Sequence, residues 1–147
     1  MQNPTPRQHW MSILARAPRA QLCALYRPEP DTEFELIRAP ETGLTQVRAR
    51  SGGTGAQFNL GDMTLTRCVV RSPAGHLGYA FVAGRDRQQA RLAAELDALL
   101  QESARQTQLL SDVIEPLARQ QRAARSARAA EADSTKVDFF TLVRGED

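Results

Sequence analysis

Five glycines, Gly43, Gly52, Gly53, Gly55 and Gly61, fall within nineteen residues of the segment Pro40–Cys68, between runs that carry arginines at strand-like spacing. Glycine at this density disfavours helix and lets a backbone turn through positive φ or come close to another surface. The segment reads as a glycine-rich loop between two strands. Arg48, Arg50 and Arg67 flank it and would add guanidinium forks to the loop's backbone N–H groups. Two uses stay open: close packing against a neighbouring chain, and binding of an anion. The loop is not a Walker A motif, because GxxxxGK[ST] is absent. Nor is it a dinucleotide fingerprint, since Ser51–Phe58 does not open a helix.

The flanks set the class of the sheet. Phe34, Leu36 and Arg38, then Leu44, Val47 and Ala49, read as strands split by the turn-prone Pro40-Glu41-Thr42-Gly43. After the loop, Met63, Leu65, Arg67 and Val69 alternate with Thr64, Thr66, Cys68 and Val70. Ser72-Pro73-Ala74-Gly75 reads as a hairpin turn, and Leu77–Ala83 as a further strand ending at Gly84. The result is an antiparallel meander of about four strands, with one face left for helices. Arg48 and Arg50, at i and i+2, share a strand face. With Arg67, Arg71 and Arg85 they have two compatible readings, convergence on an anion and pairing with Glu41, Asp62 and Asp86.

Helical periodicity brackets the sheet. Trp10, Ile13, Leu14 and Ala17 stand at i, i+3, i+4 and i+7 within residues 6–17, and Pro18 ends that helix or opens the next. Asp86 is placed to cap a helix carrying Leu92, Ala93, Leu96, Leu99 and Leu100. The polar Gln101–Gln108 is exposed helix or a break, and Leu109, Leu110, Val113, Ile114 and Leu117 resume the stripe, with Pro116 kinking or restarting it. Residues 118–132 favour helix but have little to bury. The ending, Lys136–Arg144, is apolar and extended in character, so Val137, Phe139, Phe140, Leu142 and Arg144 are candidates for a partner interface. The expected organisation is one α+β domain over 1–147: a helical part over 1–30, an antiparallel sheet over 33–84, helices over 86–132 and an extended tail over 136–147.

Charge and composition narrow the function. Eighteen of nineteen basic residues are arginine, yet net charge is only +2. Arg119, Arg122, Arg125 and Arg128 repeat every third residue, but Glu131 and Asp133 follow them and no aromatic interleaves. A solvated or partner-facing helix fits better than nucleic-acid binding. Cys23 and Cys68 form no CxxC pair, and as residues of a helical pattern and an apolar strand they are expected to be free, buried thiols. His9 and His76 lack metal-ligand spacing, and neither a nucleophile elbow nor a catalytic cysteine signature is present. No metal or cofactor is therefore expected in this chain. The opening MQNPTPRQHWMSILARA has no long apolar run, and no segment reaches the ~18 apolar residues of a membrane span, so a cytoplasmic protein is expected.

The succession Gly52-Gly53-Thr54-Gly55, Phe58-Asn59-Leu60-Gly61, Thr66-Arg67-Cys68 resembles the PhnG family of the bacterial carbon–phosphorus lyase machinery. The likeness also takes in Arg7–Met11, Leu14–Ala17, Pro40–Leu44, Arg48, Arg50, Gly84–Asp86, Ala93-Ala94, Asp97–Gln101 and the ending KVDFFTLVRGED. Asp62 stands where glutamate is usual and Ala49 where glycine is. The resemblance implies an accessory subunit of a cytoplasmic hetero-oligomer that transfers a phosphonate to ribose C1 of ATP and releases adenine. It implies PhnI, PhnH, PhnL and PhnJ as partners, with PhnI the nucleosidase-type catalyst and PhnJ the iron–sulfur subunit. ATP and phosphonate would be substrates of the complex. No catalytic residue carries over. The candidates for anion or substrate binding are Arg48, Arg50, Gly52, Gly53, Gly55, Asn59, Arg67 and Arg85. The alternative is a stand-alone anion- or nucleic-acid-binding module.

Overall fold

The computed structural model of the chain describes residues 5–29 and 32–135. Thr5 starts the first helix through a reciprocal cap: its hydroxyl accepts the Gln8 N–H at 3.3 Å, and Gln8 Oε1 accepts the Thr5 N–H at 2.9 Å. Helix α1 (Pro6–Arg16) buries Trp10, Ile13 and Leu14, the expected stripe. Pro18 then serves as N-cap of α2 (Arg19–Leu25), so it both closes one pattern and opens the next. Both cysteines are free; Cys68 is buried as expected, but Cys23 is exposed because it lies on the outer side of this short helix.

Among the described residues the sheet has three antiparallel strands in the order β1 (Glu35–Arg50), β2 (Gln57–Arg71), β3 (Leu77–Ala83). The count is three rather than about four because Pro40–Gly43 lies inside β1. β1 is an edge strand, and its ladder shifts register between Arg38 and Glu41. Proline, which has no N–H to donate, is tolerated at such a position. Ser72–Gly75 does turn β2 into β3: the Gly75 N–H reaches Ser72 O at 2.8 Å, the Ser72 N–H reaches His76 O at 2.9 Å, and Gly75 takes φ 89°.

Alternation decides what the sheet buries. Thr66, Cys68 and Val70 of β2 share one face with Gly78, Ala80 and Val82 of β3, and all six are buried. Helix α3 (Arg87–Leu99) covers that face, capped by Asp86, which accepts the Gln89 N–H at 2.9 Å. At Gly78 the helix backbone comes close enough that an added Cβ would overlap the Ala94 carbonyl oxygen and stand 2.7 Å from Ala98 N. The Thr66 hydroxyl is satisfied by Gly84 O at 2.7 Å and the Thr42 hydroxyl at 3.0 Å.

After a turn, α4 (Ser103–Leu109) runs through a π-helical segment, Leu110–Ile114, into α5 (Glu115–Ser134). The wide turn precedes Pro116, which lacks an N–H and sits at the start of α5. Val113, Ile114 and Leu117 complete the core, and beyond Gln121 the Ala- and Arg-rich α5 is exposed, as its composition predicts.

β3 pairs with β2 only from Leu65 to Arg71, whereas β1 and β2 stay paired out to Arg50–Gln57. Past the end of β3 the sheet is therefore a two-stranded ribbon, with ~27 Å of β2 between Leu65 and Gln57. Leu44 is 74% exposed, Leu60 64% and Phe58 46%. A bare two-stranded ribbon is marginal in water, and apolar residues on it ask for a covering surface.

Candidate functional site

At the ribbon tip the glycine loop is wound on itself. Ser51–Gly53 makes one 3₁₀ turn, with Gly52 at φ 57° and Gly53 at φ 81°, values that only glycine adopts cheaply. Thr54 and Gly55 both donate their N–H groups to Ser51 O, and Gly55 packs so closely that a Cβ would stand 2.6 Å from that oxygen. Arg50 Nη1 folds back to Gly55 O at 3.2 Å. Two of the loop's donors and one guanidinium are thus already used within the tip. What faces outward is a shallow hollow of about 440 Å³ lined by Arg48, Gln57, Phe58 and Asn59.

The candidate arginines do not converge. In the ladder Arg48 stands opposite Asn59 and Arg50 opposite Gln57, so the two arginines do share a face. A register shift between Val47 and Arg48 leaves Leu60 unpaired beside Gly61. Arg67 pairs with Glu41, an odd distance along β1 from Arg48, and so points to the opposite face. It lies eight residues from Asn59 along β2, or ~27 Å. Arg67 Nε is 2.6 Å from Glu41 Oε1, and Arg38 is 3.4 Å from the same oxygen. Arg71 pairs with Glu35 at 2.9 Å. Asp86 caps α3 and is reached by Arg19 at 3.6 Å, leaving Arg85 exposed in the loop before α3. Pairing with carboxylates thus accounts for Arg67 and Arg71, while Arg48 and Arg50 alone belong to the tip. Val137, Phe139, Phe140, Leu142 and Arg144 lie outside the described residues.

Two arrangements escape sequence reading. One is buried Asp97, held by Arg7, Trp10 and the Tyr79 N–H. The hydrogen bond and charge of Asp97 hold the Arg7 guanidinium above its ordinary pKa. The other is a groove of about 710 Å³ between the α1–α2 corner and α5, into which Arg16, Arg125 and Arg128 open. The three-residue arginine spacing on α5 was visible in the sequence, but its meeting with Arg16 across more than a hundred residues was not. Cys68 offers no nucleophile: burial, reinforced by the Glu95 charge, pushes its thiol up to about 11. Among the described residues no group of three His, Cys, Asp or Glu side chains could hold a metal, and no helix is long and apolar enough to cross a membrane.

Residues 5–145 match the family described as phosphonate metabolism protein PhnG. The chain is also 41% identical, over 142 residues, to the alpha-D-ribose 1-methylphosphonate 5-triphosphate synthase subunit PhnG of Rhizobium meliloti (strain 1021). That alignment covers 96% of this chain and 90% of the relative.

Proposed function

The chain belongs to the PhnG family, and on that premise we propose that it is a subunit of a ribose 1-methylphosphonate 5-triphosphate synthase in organic phosphonate catabolism. In that reaction an oxygen of the phosphonate bonds to ribose C1 of ATP while the bond from C1 to adenine breaks. Adenine leaves, and the triphosphate stays on the 5-position. The observation that carries the reading is the 41% identity to a named synthase subunit along nearly the whole chain. The alternative of a stand-alone anion- or nucleic-acid-binding module gains nothing from that match.

The chain acts as an accessory part and does not catalyse alone. Its one buried thiol is held protonated, and of its two buried carboxylates among the described residues Asp97 is engaged by donors on several sides and Glu95 is paired with Arg91. Its partners are PhnI, PhnH, PhnJ and PhnL in the cytoplasm, and ATP and phosphonate are substrates of the assembly rather than cofactors of this chain. The ribbon is the docking element on physical grounds, because its exposed Leu44, Phe58 and Leu60 lack cover from this chain's described residues. The apolar ending, Val137–Asp147, is the second, argued from its sequence. Arg48 with Asn59 is the ribbon's contact to an anion on the partner or substrate, supported by the hollow they line.

The test is co-expression with PhnH, PhnI and PhnL, measuring complex mass and adenine released from ATP plus methylphosphonate. The expected result is stable incorporation of the chain and loss of release when it is omitted. Full release by the other subunits without this chain would refute the assignment.

A further inference from the structure

The groove between the α1–α2 corner and α5 has a polarity that the core does not explain. Its walls carry Arg16, Arg125 and Arg128, and no carboxylate is among them. Helical spacing sets the α5 wall: Gln121, Ala124, Arg125 and Arg128 stand at i, i+3, i+4 and i+7, one face of the helix. Gln121 Nε2 donates to Ile13 O at 2.9 Å and ties that face to α1. On the opposite side Gln89 Nε2 donates to Ala17 O at 2.7 Å. Each amide spends one of its two N–H groups in this way and keeps the other, with its Oε1 as an acceptor. Arg16 is braced by Ser12, with 2.8 Å to the carbonyl and 3.2 Å to the hydroxyl. Arg125 and Arg128 form no ion pair with any described residue.

Three guanidinium groups around one concavity repel each other until a ligand brings negative charge, and their planar forks match phosphate oxygens. Carboxylate side chains would also satisfy the arginines, but would offer no donor to the amide oxygens of Gln89 and Gln121. A phosphorylated ribose supplies both, anionic oxygens for the guanidinium groups and hydroxyl donors for the amides. We propose that this groove binds a phosphorylated ribose of the nucleotide class, its phosphates held by Arg16, Arg125 and Arg128. The preference for a ribose triphosphate over a simpler phosphate rests on the synthase function proposed above; the anion site itself rests on the groove.

The test is calorimetric titration of the 147-residue chain with ATP at low and at physiological ionic strength. Wild type is compared with an Arg125→Ala/Arg128→Ala double variant and with Arg119→Ala, which changes α5 outside the groove. Arg125 and Arg128 are exposed, so helical circular dichroism should be unchanged. Saturable ATP binding is expected, weakened by salt, reduced at least tenfold in the double variant and unaltered by Arg119→Ala. No binding at low salt, equal binding by the double variant, or displacement of ATP by a glutamate-rich peptide that binds more tightly would overturn the proposal. Adenine release by the assembled synthase is read separately. A complex that releases none, containing a chain that still binds ATP through these arginines, would count against the proposed function and leave the groove assignment standing.

Discussion

Trp10 Nε1 donates to Asp97 Oδ1 at 2.9 Å, joining α1 to α3 across 87 residues of sequence. The same carboxylate accepts from Arg7 at 3.2 and 2.8 Å and from the Tyr79 N–H of β3 at 2.9 Å, so three elements meet on one fully buried side chain. Its packing with the core makes it a structural hub. Truncation would strand two donors and a guanidinium, and each stranded buried donor costs about 1–3 kcal/mol. Asp97→Ala is therefore expected to lose about 3 kcal/mol of stability, and Asp97→Asn, which keeps an acceptor, about half of that. Trp10 is the chain's single tryptophan, so its fluorescence during urea unfolding reads the change at the site itself. A shift below ~0.5 kcal/mol in Asp97→Ala would show that the hub carries little.

Gly78 is needed for the absence of a side chain rather than for its backbone angles. Any Cβ there overlaps Ala94 O and meets the Ala98 Cβ at 2.8 Å, so α3 must lift off the sheet. Overpacking of this kind costs about 1–3 kcal/mol, and more when the opposing atoms are backbone. Gly78→Ala is expected to lower the melting temperature by ten degrees or more, or to prevent soluble expression. Gly43→Ala, with open space around its Cβ position, should move the melting temperature by only a degree or two and serves as the comparison.

Alkali should unfold the chain gradually. Burial lifts the Cys68 thiol from 9.0 to about 11, with the Glu95 charge adding to it, and burial pushes the Tyr26 phenol upward as well. Above about pH 9 the unfolded chain releases the thiol proton while the folded chain keeps it. The unfolded state then binds fewer protons, so stability falls as pH rises, between about 9 and about 11 for the thiol. Below that window this contribution is flat. The thiol slope is at most about 1.4 kcal/mol per pH unit. Urea midpoints taken across the window should fall for wild type and fall less steeply for Cys68→Ala, which keeps only the phenol.

The sequence made the elements legible where one physical signal acted alone. Period-two alternation put Thr66, Cys68 and Val70 on one face, which the structure shows to be the buried one, and Asp86 announced the start of α3. It misled where a local signal was overruled by position. Pro40–Gly43 has turn composition, but β1 is an edge strand with a shifted register, so the strand runs through it. The arginines show the same limit: alternation put Arg48 and Arg50 on one face, but only the ladder register reveals that Arg67 lies on the other, against Glu41. Asp97 and the groove depend on contacts between residues roughly ninety to a hundred apart, for which a single sequence holds no signal.

The ribbon separates folding from assembly, which makes it testable by shortening. Leu44 and Thr64 are paired, and β3 already stops at the next position, Leu65. Replacing residues 45–63 by Asn-Gly joins these paired ends through a two-residue turn suited to a hairpin. The core face, from Thr66 to Val70 and Gly78 to Val82, is untouched, and so are α1, α3 and the Asp97 hub. The shortened chain is expected to keep its far-ultraviolet spectrum apart from the missing strand signal, and to melt within a few degrees of wild type. It should no longer co-purify with the other synthase subunits, because the exposed Phe58 and Leu60 have been removed. Milder substitution of Leu44, Phe58 and Leu60 by serine should weaken assembly in the same direction without changing the ribbon's length, since hydrophobic anchors dominate such contacts. Undiminished co-purification of the shortened chain would place the docking surface elsewhere and leave the ribbon's exposed apolar residues without a function.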